Sequence, residues 1–286
     1  MLGTGLMGSA MGRRLLEQGI EVVAWNRTAE HASALEAAGG QAAVSPADVL
    51  AGASTVITML PTAEVVLSVI EPLLADWPQG VPWLQMSSVG AEEADRLTRV
   101  AQEHRVTIVD APVSGSTRPA LEGRLTILAS GPESVRDQLQ PVFAALSSRL
   151  MWVGEAGVGS RLKLAANHWM VASVAAVAET MLLCEAMGLD QQLFIDLLEG
   201  GPLGSPYIGE KLHEMQSGDY PAGFPVRLAL KDLELVGEVA SAAAAETPVL
   251  DVVRERFSLA AGEHADEDLA AVYEVGVRGH RSGAGD

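Results

Sequence analysis

The sequence predicts an α/β domain with a doubly wound, mostly parallel sheet, followed by an all-α domain. Three observations carry that reading. Up to about residue 154, short apolar runs alternate with helical stretches, the pattern of βαβ units whose sheet is covered on both faces. Beyond Gly159 the strand signals stop and only helical periodicity continues. The length of 286 residues, 48% of them hydrophobic, is enough for two cores, placed at residues 1–156 and 157–286.

The strands expected in the first domain are Val22–Trp25, Thr55–Leu60, Val81–Gln85, Val106–Val109, Leu125–Ala129 and Leu150–Val153, bounded by Gly, Pro or Ser. Between them lie helices over Leu6–Gln18, Ala29–Ala38, Pro46–Leu50, Ala63–Val69, Ala91–His104 and Pro132–Leu146. Downstream, Leu162–Met187 reads as one long helix stopped at Gly188, with Asp190 as the next N-cap. It is apolar nearly all round, which predicts burial on most faces. Helices over Gln191–Glu199, Ile208–Gln216, Val226–Ala245, Pro248–Ala260 and Glu267–Val275 follow, and the Gly-rich tail from Arg278 to Asp286 is expected to fray.

Nineteen Lys and Arg against 37 Asp and Glu give a formal charge of −18, a field that repels nucleic acid and anionic membranes. Cys184 is the single cysteine, so disulfide frameworks and thiolate-rich metal sites are excluded. The six histidines are scattered without metal-ligand spacing, and no metal site is expected. The uncharged stretch Leu164–Ala178 is shorter than a span of about 20 residues and holds Asn167 and His168. With no basic, then apolar, N-terminal signal pattern, a cytoplasmic protein is expected.

Gly3, Gly5 and Gly8 form G-x-G-x-x-G at the entrance of the first helix, flanking Leu6 and Met7. In such a motif the first Gly allows the tight turn, the second the approach of a pyrophosphate, and the third close helix packing, while the helix N-terminus offers N–H donors. This is a Rossmann-like arrangement, supported by a second strand at the expected spacing. An NAD reader places Asp or Glu after that strand to bind the ribose 2′-OH. Here the chain reads Asn26-Arg27-Thr28, and Arg27 can fork onto a 2′-phosphate, so NADP is favoured over NAD. The bland alternative is a solvated loop charge.

Lys163 and Asn167 stand at i and i+4 near the start of the long helix. On spacing alone Lys163 reads equally as a snorkelling residue at a helix end and as a proton donor to a carbonyl oxygen oriented by Asn167. The run Asp110-Ala111-Pro112-Val113-Ser114-Gly115-Ser116 follows a predicted strand and offers hydroxyls and N–H groups that suit a carboxylate, although such loops are common. Lys231-Asp232, downstream of Phe224-Pro225, reads most simply as a solvated ion pair on a helix.

Together these residues resemble the β-hydroxyacid dehydrogenase family, which includes 3-hydroxyisobutyrate dehydrogenase. The likeness runs from Gly3 to about Val275 and is nearest to the glyoxylate/succinic semialdehyde reductases, through Trp25-Asn26-Arg27-Thr28, Ser114-Gly115-Ser116, Pro119-Ala120, Gly123, the run Leu125–Gly131, and Tyr220-Pro221-Ala222 through Phe224-Pro225. The resemblance implies a homodimer or higher homo-oligomer and a small anionic substrate, an oxo acid or semialdehyde interconverted with its hydroxy acid. It implies Lys163 as the catalytic lysine with Asn167 beside it, and Ser114 and Gly115 as the substrate-carboxylate loop. Ser88 would lie near cofactor and substrate, Met59, Leu60 and Pro61 along the cofactor, Lys231 against the cofactor, and Phe224 and Asp232 in the active site.

Two departures stand out. Only Met1 and Leu2 precede Gly3, so the first strand is expected to be truncated and the natural start to lie upstream. Ser88 stands where the nearest relatives often carry Thr. Two other functions share the scaffold: an NADPH-dependent imine reductase, where the Lys163 position usually holds Asp or Tyr, and a non-catalytic dinucleotide-binding protein, where the lysine is lost.

Overall fold

The structure, a computed structural model, describes the backbone of residues 1–283 and the side chains of residues 1–277. It divides into two compact units, Met1–Lys163 and Leu164–Asp286, parting inside one long helix.

In chain order the first unit holds α1 (Leu6–Glu17), β1 (Val23–Ala24), α2 (Ala29–Ser33), β2 (Gln41–Ala42), β3 (Val56–Thr58), α3 (Ala63–Ile70), β4 (Trp83–Gln85), α4 (Ala91–Glu103), β5 (Ile108–Asp110), β6 (Val113–Ser114), α5 (Thr117–Leu121), β7 (Leu125–Ala129), α6 (Arg136–Leu146) and β8 (Ser147–Trp152). Strands β3, β4 and β5 pair in parallel, as do β1 with β2 and β7 with β8. Leu2 bridges Trp25 and Thr58 in parallel, so two residues fill the place of a strand between β1 and β3.

Successive strand residues face opposite sides of a sheet, and here both sides are apolar. Ile57, Leu84 and Val109 pack with Met11 and Leu15 of α1 and Phe143 of α6. Their neighbours Val56, Trp83 and Ile108 pack with Val66 and Ile70 of α3 and Leu97 of α4. This is the physical content of the double winding. The sheet is not wholly parallel: β6 runs antiparallel to β7, and Asp110 bridges Ser130 in antiparallel fashion, joining the two halves.

Several expected elements differ. The helix expected over Ala29–Ala38 stops at Ser33, with a separate 3-10 turn over Glu36–Ala38 closed by Gly39 in the left-handed region at φ 91°. Pro46–Leu50 is a 3-10 helix, and so is Glu71–Asp76 beyond α3. The short elements β2, β6 and α5 had no expected counterpart.

The long helix, α7 (Val158–Ala186), begins in the first unit and continues into the second. There follow α8 (Gln191–Leu198), α9 (Pro206–Ser217), α10 (Val226–Ala242), α11 (Pro248–His264) and α12 (Val272–Gly283). The tail expected to fray from Arg278 is therefore helical to Gly283; residues 284–286 lie outside the described residues. The core of the second unit joins Val171, Val174, Ala178 and Met181 of α7 to Leu212, Val226, Leu233, Phe257 and Leu269.

The expectation that the long helix is buried on most faces does not hold within one chain. Its buried positions form one stripe at helical spacing, while Trp169 stays 74% exposed and Leu183 51%. By length and composition alone α7 is apolar enough to cross a membrane. Its buried stripe instead belongs to the helical core.

Candidate active site

The glycine turn is built by steric necessity. Gly3 has φ 98°, and a Cβ there would lie 2.2 Å from the Met59 carbonyl oxygen; a Cβ on Gly8 would lie 2.2 Å from the Gly3 carbonyl oxygen. Neither position admits a side chain. At Gly5 a Cβ would meet nothing within 4 Å, so backbone rather than side chain lines an open approach to the first turn of α1. That turn has no acidic residue and no side-chain cap on its N–H groups, and Leu6 beside it is exposed. The donor set fits an anionic pyrophosphate. The Thr4 hydroxyl, in the same turn, is buried without a hydrogen-bond partner.

The loop after β1 is tied to this turn. Thr4 N donates to Asn26 Oδ1 at 3.1 Å, and Asn26 Nδ2 donates to the Thr28 carbonyl at 3.1 Å. Arg27 lies between these anchors and is exposed to solvent, as is Thr28. No carboxylate stands at Asn26, Arg27 or Thr28.

A second loop, Met59-Leu60-Pro61, is held by a buried polar network. Leu60 N donates to Ser87 Oγ at 2.8 Å; Gln85 Oε1 accepts from Thr58 Oγ1 at 3.0 Å and from Ser87 N at 2.9 Å, and Trp83 Nε1 donates to Thr58 Oγ1 at 2.9 Å. Gln85 thus connects the loop carrying Met59, Leu60 and Pro61 to the one carrying Ser88. Ser114 ends β6, and Gly115 follows at φ 129°, with Leu125 and Pro119 leaving no room for a Cβ. Lys163, on the second turn of α7, is 9% exposed. A snorkelling residue at a helix end is ordinarily well exposed, and Lys163 is not.

In the second unit, Asn167 and Asp232 are both buried and Asn167 Nδ2 donates to Asp232 Oδ2. Asp232 is therefore not the solvated partner of Lys231 that the sequence favoured. Phe224 and Lys231 are half-buried. Phe224 N donates to Asp268 Oδ2 at 2.9 Å, and Asp268, fully buried, also accepts from Lys211 Nζ at 2.9 Å.

Two family models match the chain. The NAD binding domain of 6-phosphogluconate dehydrogenase covers residues 1–154, and the NAD-binding domain of NADP-dependent 3-hydroxyisobutyrate dehydrogenase covers residues 157–276. The chain is 32% identical over 281 residues to glyoxylate/succinic semialdehyde reductase 1 of Arabidopsis thaliana, with 96% of each covered. The chain belongs to the β-hydroxyacid dehydrogenase family. It is accordingly an NAD(P)-dependent oxidoreductase. This dehydrogenase is also 29% identical to an NAD-dependent L-serine dehydrogenase of Pseudomonas aeruginosa, with 96% of each covered. Its fold matches that of a Mycobacterium tuberculosis 3-hydroxyisobutyrate dehydrogenase with L-serine at a TM-score of 0.89 and 28% identity, again over 96% of each chain.

Sequence reasoning about this dehydrogenase left three polar anchors without a role: Asp110, Ser130 and Ser160 in the first unit. It passed over two more, Lys211 and Asp268, in the second. Asp110 did carry a signal, a charged residue closing an apolar strand. Lys211 and Asp268 carried none, because they meet across 57 residues of chain.

Proposed function

We propose that this dehydrogenase uses NADPH to reduce the carbonyl carbon of a small semialdehyde or oxo acid to the hydroxy acid. The observation that carries the reading is Lys163, an amine held at low exposure four residues before Asn167 on one helix. A reduction needs a proton donor beside the forming alkoxide, and a lysine at low exposure one helical turn before a buried asparagine can supply it.

When bound, the cofactor supplies the hydride. The turn Gly3–Gly8, with the first N–H groups of α1, would hold its pyrophosphate. Arg27 would fork onto the 2′-phosphate, flanked by Asn26 and Thr28; Met59, Leu60, Pro61, Ser88 and Lys231 would complete its surroundings. Ser114 and Gly115 would take the substrate carboxylate, with Phe224 and Asp232 near the reacting group. Lys163 Nζ would give its proton to the carbonyl oxygen and take it back in the oxidative direction. Asp232 would fix the Asn167 amide. The relatives named for glyoxylate, succinic semialdehyde and L-serine support a short acid as the substrate class.

Steady-state reduction of glyoxylate or succinic semialdehyde by the wild type and by Arg27→Ala tests both halves of the reading. A charge-assisted hydrogen bond is worth about 1.5–3 kcal/mol, so the variant is expected to lose about tenfold or more in the NADPH-over-NADH ratio of kcat/KM. An unchanged ratio contradicts the NADP assignment, and failure of the wild type to turn over either acid contradicts the substrate class.

A further inference from the structure

We propose that Asp110 is a positioning residue: its buried carboxylate ties the strand end that leads to the Ser114-Gly115 loop to the first turn of α7 and so sets where Lys163 is presented. The inference rests on Lys163 being the proton donor.

Asp110 ends β5, four residues before Ser114. Its Oδ2 accepts from Ser160 N at 2.8 Å and its Oδ1 from Ser160 Oγ at 2.7 Å. Ser130 completes the clasp. Its Oγ donates to the Asp110 carbonyl at 3.1 Å and accepts from Gly159 N at 2.9 Å, while the two residues exchange backbone hydrogen bonds at 2.7 and 2.9 Å. Gly159 lets α7 come this close, since a Cβ there would lie 2.2 Å from the Leu128 carbonyl oxygen. Lys163 follows Ser160 by three residues, a rise of about 4.5 Å at 1.5 Å per residue. A shift of the first turn therefore carries the ammonium with it.

Packing alone does not explain an ionised carboxylate here. Burial pushes Asp110 up to about 6, against the opposing effect of the hydrogen bonds from Ser160. A carboxyl group raised in the folded state gives stability that is complete below the ordinary value of 3.8 and is lost as pH rises through about 6. Above that pH the charge is a cost to folding that an apolar or amide side chain would avoid. Near the clasp α7 carries Arg161 and Lys163, and α4, which packs on β5, carries Glu92, Glu93, Asp95, Arg96, Arg99 and Glu103; of these Arg161 and Asp95 pair with each other at 2.7 Å. Protonation of Asp110 removes the charge that strengthens both bonds from Ser160 and turns one oxygen into a donor, so the Ser160 hydroxyl must reverse its bond or the Ser160 N–H lose its acceptor, and the clasp is weakened. In the reductive direction Lys163 must be protonated, so loss of activity in weak acid cannot come from the lysine.

The test measures kcat for oxo-acid reduction against pH, and the Kd for NADPH, in the wild type, Asp110→Asn, Ser160→Ala and Lys163→Ala. The wild type is expected to lose kcat below about pH 6. Asp110→Asn is expected to lose that acid limb and about tenfold or more in kcat, as misplaced catalytic groups do, with its Kd for NADPH unchanged. Ser160→Ala should shift the limb to higher pH, because a bond favouring the ionised carboxylate is gone. Asp110→Asn with wild-type kcat and an intact limb overturns the proposal. Should Asp110→Asn not fold, Ser160→Ala with unchanged kcat and an unmoved limb overturns it instead. Normal turnover in Lys163→Ala removes the proton donor and the proposal with it; loss of turnover there, beside a normal Asp110→Asn, rejects the positioning role alone.

Discussion

Lys163→Ala is expected to lower kcat for oxo-acid reduction by about 10²–10⁴, the usual contribution of a positioned general acid. NADPH affinity should stay near its wild-type value, because the glycine turn, the Asn26-Arg27-Thr28 loop and the Gln85 network are built without the lysine. The signature is therefore a fall in kcat and in kcat/KM for the acid at unchanged cofactor Kd. Stopped-flow turnover with NADPH fluorescence titration separates the two quantities. Near-normal turnover in this variant refutes the role.

The largest effect on stability is expected from Lys211→Met. Lys211 is 4% exposed and its ammonium lies 2.9 Å from Asp268 Oδ1 and 2.8 Å from Glu214 Oε2. Burial alone would lower its pKa, but hydrogen bonds and the charges of Glu214 and Asp268 outweigh that and raise it, so the ammonium stays charged. Removing it leaves two carboxylates facing each other in the helical core. Breaking a buried pair in this way costs about 3–5 kcal/mol. The three backbone N–H groups of Gly223, Phe224 and Ala270 still donate to Asp268 and limit the loss. The deficit should grow with pH, because Glu214, pushed up to about 7 by burial, takes a proton in acid. Urea denaturation across pH checks both points, and a midpoint within error of the wild type above pH 7 contradicts the account. Since Asp268 also anchors Phe224, the KM for the acid is expected to rise.

What was legible in the sequence was local. Leu125–Ala129 is the strand expected, and the breaks at Gly5, Gly90 and Gly188 bound helices where periodicity placed them. The glycine motif was legible because its spacing is dictated by steric contact, as the clashes at Gly3 and Gly8 demonstrate. Strands of two residues, such as β2 and β6, carry too few side chains for a period and went unread. The polar anchors failed for a different reason. Asp110 meets Ser160 across 50 residues, Asn167 meets Asp232 across 65, and nothing in the neighbourhood of either residue records its partner. Asp232 beside Lys231 looked like a surface pair because adjacent opposite charges usually are one; on α10 it turns inward to Asn167 instead.

NADPH-dependent reduction of short oxo acids is the activity proposed for this β-hydroxyacid dehydrogenase. The most direct measurement is kcat/KM for glyoxylate, succinic semialdehyde, methylmalonate semialdehyde, tartronate semialdehyde and a cyclic imine, each with NADPH and with NADH. Turnover of at least one of the acids is expected, faster with NADPH than with NADH, and none of the imine. Turnover of the imine alone, or a preference for NADH across the acids, would contradict it.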